Sequence, residues 1–409
     1  MADKQHKVLI TGLNIISSLG LNAAENWENL CAGKSGVRGI TLFDPSGLQT
    51  RIAAQVDGSF EEYSQGFIKK RAAQQMTRVT RLCYVCALEA VTSAGIDFDG
   101  FNRERCAVIV GAVTSGNTTA EKGTTPKNRI IKGMSNSMSA WISMHFGLEG
   151  PNFVLNTACA SSAYAMSLGY DLISGGRADL VIAGGADSTV NYEEIEGFNE
   201  LYALSTRNDD PAGASRPFTA ERDGFVVGEG AGIVILESEE SARRRNAGVY
   251  AEFAGYALTS EAYNIMSPKK DGEGMARTME LALEHSGTPA GDVDYINAHG
   301  TSTTLNDRFE TMAIKKVFGA RAYDIPVSSI KSMIGHTVGA AGTIEAAVTS
   351  LSIKNGIVTP TINYSTPDPD LDLDYVPGRS REHAIRSALS NSFGFGGHNA
   401  TIVLRKYQA

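Results

Sequence analysis

The stretch NFVLNTACASSAYAMSLGYDLISGG, Asn152 to Gly176, changes pattern partway along. NFVLNT reads as a strand. CASSAYAMSLGYDLISGG reads as a helix, and Gly175 and Gly176 stop it. Gly150 and Pro151 punctuate the chain just before. A strand feeding a helix through a tight turn is the unit of α/β architecture. The turn puts Cys159 at a helix N-terminus, where unpaired N–H groups and the positive end of the dipole favour a thiolate. The same N–H groups could form half of an oxyanion hole. A second reading stands beside this one. Free cysteine is among the most buried residue types and often serves as a small apolar filler.

The same alternation continues in both directions. Short apolar runs flanked by glycine recur as KVLITG, CAVIVGA, LVIAGGA, GIVILE, YINAHG and NATIVL. Such runs fit strands buried on both faces. Helical stretches lie between them at Arg78–Ser93, Ala160–Ser174, Gly274–His285 and Gly342–Lys354. Val8–Thr11 reads as a buried strand ending at a glycine turn, not as a signal peptide. Near residue 250 the charged helix-like segment LESEESARRRNAGVY is followed by a new strand, AEFAGYALTS. The second part then repeats the strand–helix rhythm of the first, which suggests an internal duplication without residue-level repeat.

Bulk properties narrow the classes. The chain has 409 residues, 42% hydrophobic and 20% charged, with a net charge of −8. This is long enough for a large core without disulfides or metals, and the absence of a basic stripe argues against nucleic acid. Five cysteines at low density imply a reducing compartment. No run approaches a membrane span, so the expectation is a cytoplasmic protein.

Two histidines sit in glycine-marked settings. YINAHGTSTTLND places His299 at the end of a buried strand, where catalytic groups of α/β layers gather. SSIKSMIGHTVGAAG places His336 in a small-residue loop, five residues after Lys331. Either alone could be a hydrogen-bonded core or surface residue. SNSFGFGGHNA, Ser390 to Ala400, matches neither a P-loop nor a dinucleotide fingerprint. It reads as a loop over a pocket or as a tight turn between strands. Cys83 and Cys86 form CxxC inside a helical pattern with no second pair, which favours core packing over zinc. No G-x-S-x-G elbow anchors a serine hydrolase.

Taken in order, TACASS, NAHGTST, SSIKSMIGH and NSFGFGG resemble the type II β-ketoacyl-acyl carrier protein synthases, and so do ALSTRNDDP, SRPFTAERDGFVVGEGAG and PTINY. The resemblance runs from about Val8 to the C-terminus. It implies the α/β thiolase fold, with two βαβαβαββ halves in five layers, α-β-α-β-α. Residues 1–250 would be the half carrying the nucleophile, and residues 251–409 the half carrying both histidines.

The resemblance also implies roles. Cys159 would take an acyl chain from a carrier-protein thioester, and the backbone N–H groups of Cys159 and Phe395 would hold the oxyanion. His299 and His336 would donate to the malonyl thioester carbonyl while CO2 leaves. Two fixed donors there stabilise charge that appears only in the transition state. Lys331 and Glu345 would order the histidine and acidic network. Thr301 and Thr303 would bind the pantetheine arm, and Phe395 would be the gate. No metal, nucleotide or flavin is implied, since the phosphopantetheine belongs to the acyl carrier protein. That acidic partner calls for basic residues. FIKKRAAQQMTR offers Lys69, Lys70, Arg71 and Arg78, with Gln74 and Gln75 where the family is often basic; an ordinary solvated helix face is the other reading.

Departures from the family pattern point to a specialised role. The segment between VIVGAVTSGNTTAEKG and NSMSAW is shorter, PKNRII replaces PFFVP, GGHN replaces GGTN at His398, and Thr114 stands where fatty-acid enzymes carry a bulky pocket residue. An altered acyl pocket follows as an expectation. The preferred reading is the catalytic ketosynthase of a type II polyketide system, as a homodimer or a heterodimer with a chain-length factor. Fatty-acid elongation is the alternative. A thiolase or a non-catalytic partner subunit fits the Cys-His-His set poorly.

Overall fold

The computed structural model describes residues 6–115 and 128–408. Ten strands form one hydrogen-bonded series. In chain order they are β1 (Val8–Ile16), β2 (Cys106–Gly111), β3 (Asn152–Leu155), β4 (Leu180–Ser188) and β5 (Glu229–Ser238), then β6 (Ala251–Ser260), β7 (Tyr295–Asn297), β8 (Val327–Ser328), β9 (Ser387–Gly394) and β10 (His398–Arg405). Across the sheet they run β8-β7-β9-β10-β6-β1-β5-β4-β2-β3.

The first five strands and the last five follow one plan. From the outer edge inward, each half is ordered third, second, fourth, fifth, first. In each, the second strand pairs parallel with the third and fourth, and the fifth pairs antiparallel with the fourth and first. The halves meet where β1 runs antiparallel to β6, over Val8–Ile10 against Ala251–Phe253. The duplication suggested by rhythm is present as topology.

Helices α1 (Arg78–Ala94), α2 (Ser137–Phe146), α3 (Ser161–Ser174), α4 (Glu273–Ser286), α5 (Thr304–Phe318) and α6 (Ala341–Asn355) complete the layers. α1 packs on β1, β5 and β4, with α2 beside it, while α4 packs on β6 and β10, with α5 beside it. Between the two half-sheets lie α3 and α6. α3 packs on β4 and β2 and also touches β10, and α6 packs on both β5 and β9. These are the five layers of the thiolase fold. Strand residues alternate between cores, as the two-residue period requires. In β4, Val181 and Ala183 join the middle core, while Leu180 and Ile182 join the core under α1. In β10, Ala400 and Ile402 face the middle, and Val403 faces the core under α4.

The middle layer fits because strand residues facing it lack side chains at key points. A Cβ on Gly111, at the end of β2, would lie 2.3 Å from the Ser161 carbonyl carbon. One on Gly232 in β5 would lie 2.7 Å from the Ile344 nitrogen. These approaches bring the N-terminal ends of α3 and α6 onto the strand ends, and with them Cys159 and His336.

The turn expected at Gly12 is absent. β1 continues to Ile16 with a register shift between Ile10 and Gly12, because Gly12 serves a close crossing by α1, where a Cβ would lie 2.5 Å from the Ala94 Cβ. SNSFGFGGHNA is the hairpin between β9 and β10. Its turn holds Gly396 and Gly397 at φ 82° and 75°. All five cysteines are free, and Cys83 and Cys86 are buried in α1. Among the described residues, no helix is long and apolar enough to cross a membrane.

Gly111→Ala is expected to cost about 1–3 kcal/mol through overpacking. Gly39→Ala, where a Cβ meets nothing within 4 Å, is expected to change stability by less than about 0.5 kcal/mol. Thermal unfolding measures both, and equal shifts would contradict the packing argument.

Candidate active site

The turn after β3 is held under strain. Ala158 takes φ 50°, a left-handed conformation uncommon outside glycine. Asn156 Oδ1 accepts the Ala158 N–H at 3.0 Å, and Ser161 Oγ accepts the Thr157 N–H at 2.9 Å while donating to the Ala158 carbonyl at 2.6 Å. The turn presents Cys159, 8% exposed, two residues before α3. The β9–β10 hairpin passes so close that a Cβ on Gly394 would lie 3.2 Å from the Cys159 nitrogen. The backbone N–H groups of Phe395 and Cys159 lie near enough to the sulfur to lower its pKa. One belongs to the first half of the fold and the other to the second.

The expected stabilisation of a resting thiolate is not found. Burial pushes the Cys159 thiol up to about 11, against the pull of Lys331 and the two N–H groups, and Asp187 adds to the rise. Loss of water from the sulfur outweighs the pull of the Lys331 charge and the two N–H groups.

The Cys159 sulfur and one ring nitrogen each from His299 and His336 lie within 4.8 Å of one another. The two rings stand edge to face, 5.3 Å between centroids. Both imidazoles are held well below the usual range, first by burial and then by the Lys331 charge, so both are neutral. Their hydrogen bonds assign the tautomers. Lys331 Nζ lies 3.4 Å from His299 Nδ1, and an ammonium can only donate. The Val338 N–H donates to His336 Nδ1 at 3.3 Å. Each Nδ1 is thus an acceptor and each Nε2 carries the proton. His336 Nε2 is buried with no partner among the described residues, a donor in need of an acceptor.

Behind the rings, Lys331 Nζ also donates to the His299 carbonyl at 2.7 Å and pairs with Glu345 Oε1. Burial raises Glu345 to about 7 against the pull of Lys331. The trio has donor types that suit a soft metal, but the Lys331 ammonium beside it repels a cation. The arrangement suits hydrogen bonding to a developing anion.

Cys159, His299 and His336 line a cavity of about 410 Å³. Phe225, Phe393 and Val338 supply apolar wall, and Phe395, Thr301 and Thr303 also line it. The Thr301 and Thr303 hydroxyls are 2.9 Å apart.

Other expected residues lie elsewhere. Val113 lines the cavity, but Thr114 does not; its hydroxyl donates to Asp187 at 2.9 Å. The end of VIVGAVTSGNTTAEKG and the junction after it lie within residues 116–127, outside the described residues, whereas Arg129–Gly133 beyond it forms a short helix. Lys69, Lys70 and Arg71 are exposed around a short helix, Lys70–Ala73, and make no ion pair among the described residues. Arg78 is not part of that surface. Its guanidinium forks onto buried Glu229, with Nε–Oε2 3.0 Å and a second nitrogen 2.8 Å from Oε1. His398 packs edge-on to Tyr164 at 6.1 Å.

Two buried carboxylates were not anticipated. Glu310 accepts the His299 and Gly300 N–H groups, each at 2.8 Å, and burial raises it to about 7. Asp187 accepts the Val113 and Gly339 N–H groups at 3.1 and 3.0 Å. The one sequence signal for Glu310 is its spacing from Asp307, which puts both acids on the buried face of α5.

Comparison with known proteins agrees with this geometry. The family model "Beta-ketoacyl synthase, N-terminal domain" matches residues 5–242, and "Beta-ketoacyl synthase, C-terminal domain" matches residues 250–365. A putative polyketide beta-ketoacyl synthase 1 of Streptomyces cyaneus is 41% identical over 97% of this chain and 97% of its own. The 3-oxoacyl-[acyl-carrier-protein] synthase 2 of Synechocystis sp. is also 41% identical, over 99% of both. Among solved structures, the ishigamide ketosynthase/chain length factor superposes with a TM-score of 0.91 at 34% identity, covering 99% of this chain and 100% of that one. A type II polyketide ketosynthase bound to a hexaketide, in complex with its acyl-carrier protein, gives 0.89 at 33% identity with the same coverage. These matches run through both halves of the duplicated fold, and the chain belongs to the beta-ketoacyl synthase family of acyltransferases.

Proposed function

We propose that this β-ketoacyl-acyl carrier protein synthase divides its reaction between two pairs of donors. In the first step, Cys159 sulfur bonds to the acyl carbon of a carrier-protein thioester, and the carrier thiol leaves with the proton that Cys159 gives up. The N–H groups of Cys159 and Phe395 hold the oxyanion of that step. In the second, the malonyl C–C bond breaks and CO2 departs. The electron pair moves into an enolate whose oxygen accepts from Nε2 of His299 and His336. In the third, the carbanion attacks the acyl carbon, the bond to Cys159 sulfur breaks, the departing thiolate takes a proton from solvent, and the chain leaves on the carrier longer by two carbons.

One observation carries this reading: two neutral imidazoles present Nε2–H groups beside a buried thiol, one of them unpartnered. A charged imidazolium would hold substrate and transition state alike, whereas neutral donors in a dry site respond mainly to charge that develops. Lys331 and Glu345 act as positioning residues. Thr301 and Thr303 take the pantetheine arm, and Phe395 moves to admit the second substrate. No cofactor of the protein's own is needed.

The partner is an acyl carrier protein, seated with help from Lys69, Lys70 and Arg71. One ketosynthase of similar fold has been solved in complex with such a carrier, and another is a ketosynthase/chain length factor. β3 is an edge strand with Phe153 37% exposed, and an open edge of this kind suits pairing with a second subunit. The pathway reading is type II polyketide synthesis, with fatty-acid elongation beside it because relatives of both kinds are equally similar. A reactive thiol and four further free cysteines suit the reducing cytoplasm.

Cys159→Ala is expected to abolish acyl mass on the protein after incubation with acyl-carrier protein; unchanged acylation would sink the assignment. His299→Ala should lower CO2 release from malonyl-carrier protein about 10²–10³-fold and leave self-acylation largely intact. Loss of acylation alone would reverse the roles. A thiol held near 11 predicts that iodoacetamide labelling of Cys159 keeps rising with pH through pH 9. A plateau near neutrality would show a resting thiolate instead. Native mass spectrometry after co-expression with a cysteine-less homologue should give a heterodimer under the polyketide reading, and a homodimer alone would favour elongation.

A further inference from the structure

Asp187 closes β4 and is fully buried, yet none of the steps above uses it. Its carboxylate has four partners. Oδ2 accepts from the Val113 N–H at 3.1 Å and the Gly339 N–H at 3.0 Å; Oδ1 accepts from the Thr114 hydroxyl at 2.9 Å and the Ser188 N–H at 3.2 Å. Two of these lie on the loop after β2, whose Val113 lines the cavity, and Gly339 lies on the loop that carries His336. One side chain therefore ties together two of the loops around the nucleophile.

The Gly339 bond has a specific consequence. The preceding residue, Val338, takes φ 46°, a real outlier for a β-branched side chain. Such conformations persist only where the surroundings over-determine them. On one side, His336 N–H donates to the Val226 carbonyl at 2.7 Å, and the His336 carbonyl accepts from Gly228 at 2.9 Å. On the other, Asp187 holds Gly339. Between these anchors the Val338 N–H points back at His336 Nδ1, at 3.3 Å.

We propose that Asp187 is a positioning residue for His336: by clamping the Gly339 N–H it keeps Val338 in its strained conformation, keeps the Val338 N–H on Nδ1, and so keeps the His336 proton on Nε2, facing the cavity. Released from Gly339, the loop can relax to negative φ. His336 Nδ1 then loses its donor, and the ring can hold its proton on either nitrogen. The inference rests on His336 being a donor to the thioester, but its first test needs no turnover.

The test is 15N NMR of histidine-labelled full-length protein at pH 7.5, with His336 assigned by His336→Gln, paired with partial-reaction assays. In the wild type His336 should give the pure Nε2–H pattern. A wild-type Nδ1–H pattern overturns the proposal whether or not any variant folds. In Asp187→Leu, which leaves the Gly339 N–H no acceptor at this position, the signals should move toward a mixture of tautomers. CO2 release from malonyl-carrier protein should fall at least about tenfold, through kcat more than KM, with acylation of Cys159 within about threefold of wild type. Thr114→Val, which removes a partner of Asp187 but leaves Gly339 held, should keep the wild-type histidine spectrum. An unchanged His336 pattern in Asp187→Leu, or equal loss in both partial reactions, would show that Asp187 only supports the fold. Failure of the ketosynthase reading itself would appear separately, as no CO2 release by the wild type.

Discussion

Lys331 places an ammonium in the middle of the protein, 2% exposed, and much of the site depends on where its protons go. Lysine has three donors and no acceptor. One reaches Glu345, one the His299 carbonyl and one His299 Nδ1. Burying that charge is tolerable only because each proton is used; removing a partner from a buried pair costs about 3–5 kcal/mol. The same charge depresses both imidazoles and pulls the Cys159 thiol downward. Burial first, and this charge after it, keep the histidines neutral, and the same ammonium fixes the tautomer of one of them. Val338, held through Gly339, fixes the other.

The duplicated fold brings these groups together. Cys159 enters from the β3–α3 turn of the first half. His299 follows β7 and His336 precedes α6 in the second. They meet because α3 and α6 share one layer and strand glycines let both helix ends approach. The division of labour follows the geometry. In the proposed reaction, backbone N–H groups would hold the oxyanion at the acyl carbon, and side-chain N–H groups would hold the enolate. Neither set must reorganise while charge moves, which is the condition for electrostatic stabilisation by preorganised donors.

Some of this was legible in the residues themselves. The glycine-punctuated strand–turn–helix around Cys159 predicted its position, and family motifs predicted the trio that the structure gathers. The charge state of the cysteine was not legible, because burial depends on a hairpin far away in the chain. Glu310 and Asp187 look like ordinary surface acids until the fold buries them under the loops they hold. Gly12 looked like a turn, although its role is to let α1 cross. Arg78 sat in a basic run, but Glu229 lies far along the sequence and claims it. In each case the missing information was a long-range contact.

The central claim is that the imidazole pair and the backbone pair serve different oxygens. A crystal structure with a non-reactive malonyl thioester mimic, its sulfur replaced by an amide nitrogen, tests this most directly. The account predicts the mimic's carbonyl oxygen within hydrogen-bonding distance of Nε2 on both His299 and His336, with the N–H groups of Cys159 and Phe395 left to the acyl site. A carbonyl seated on those two backbone N–H groups, with either histidine turned away, would contradict it.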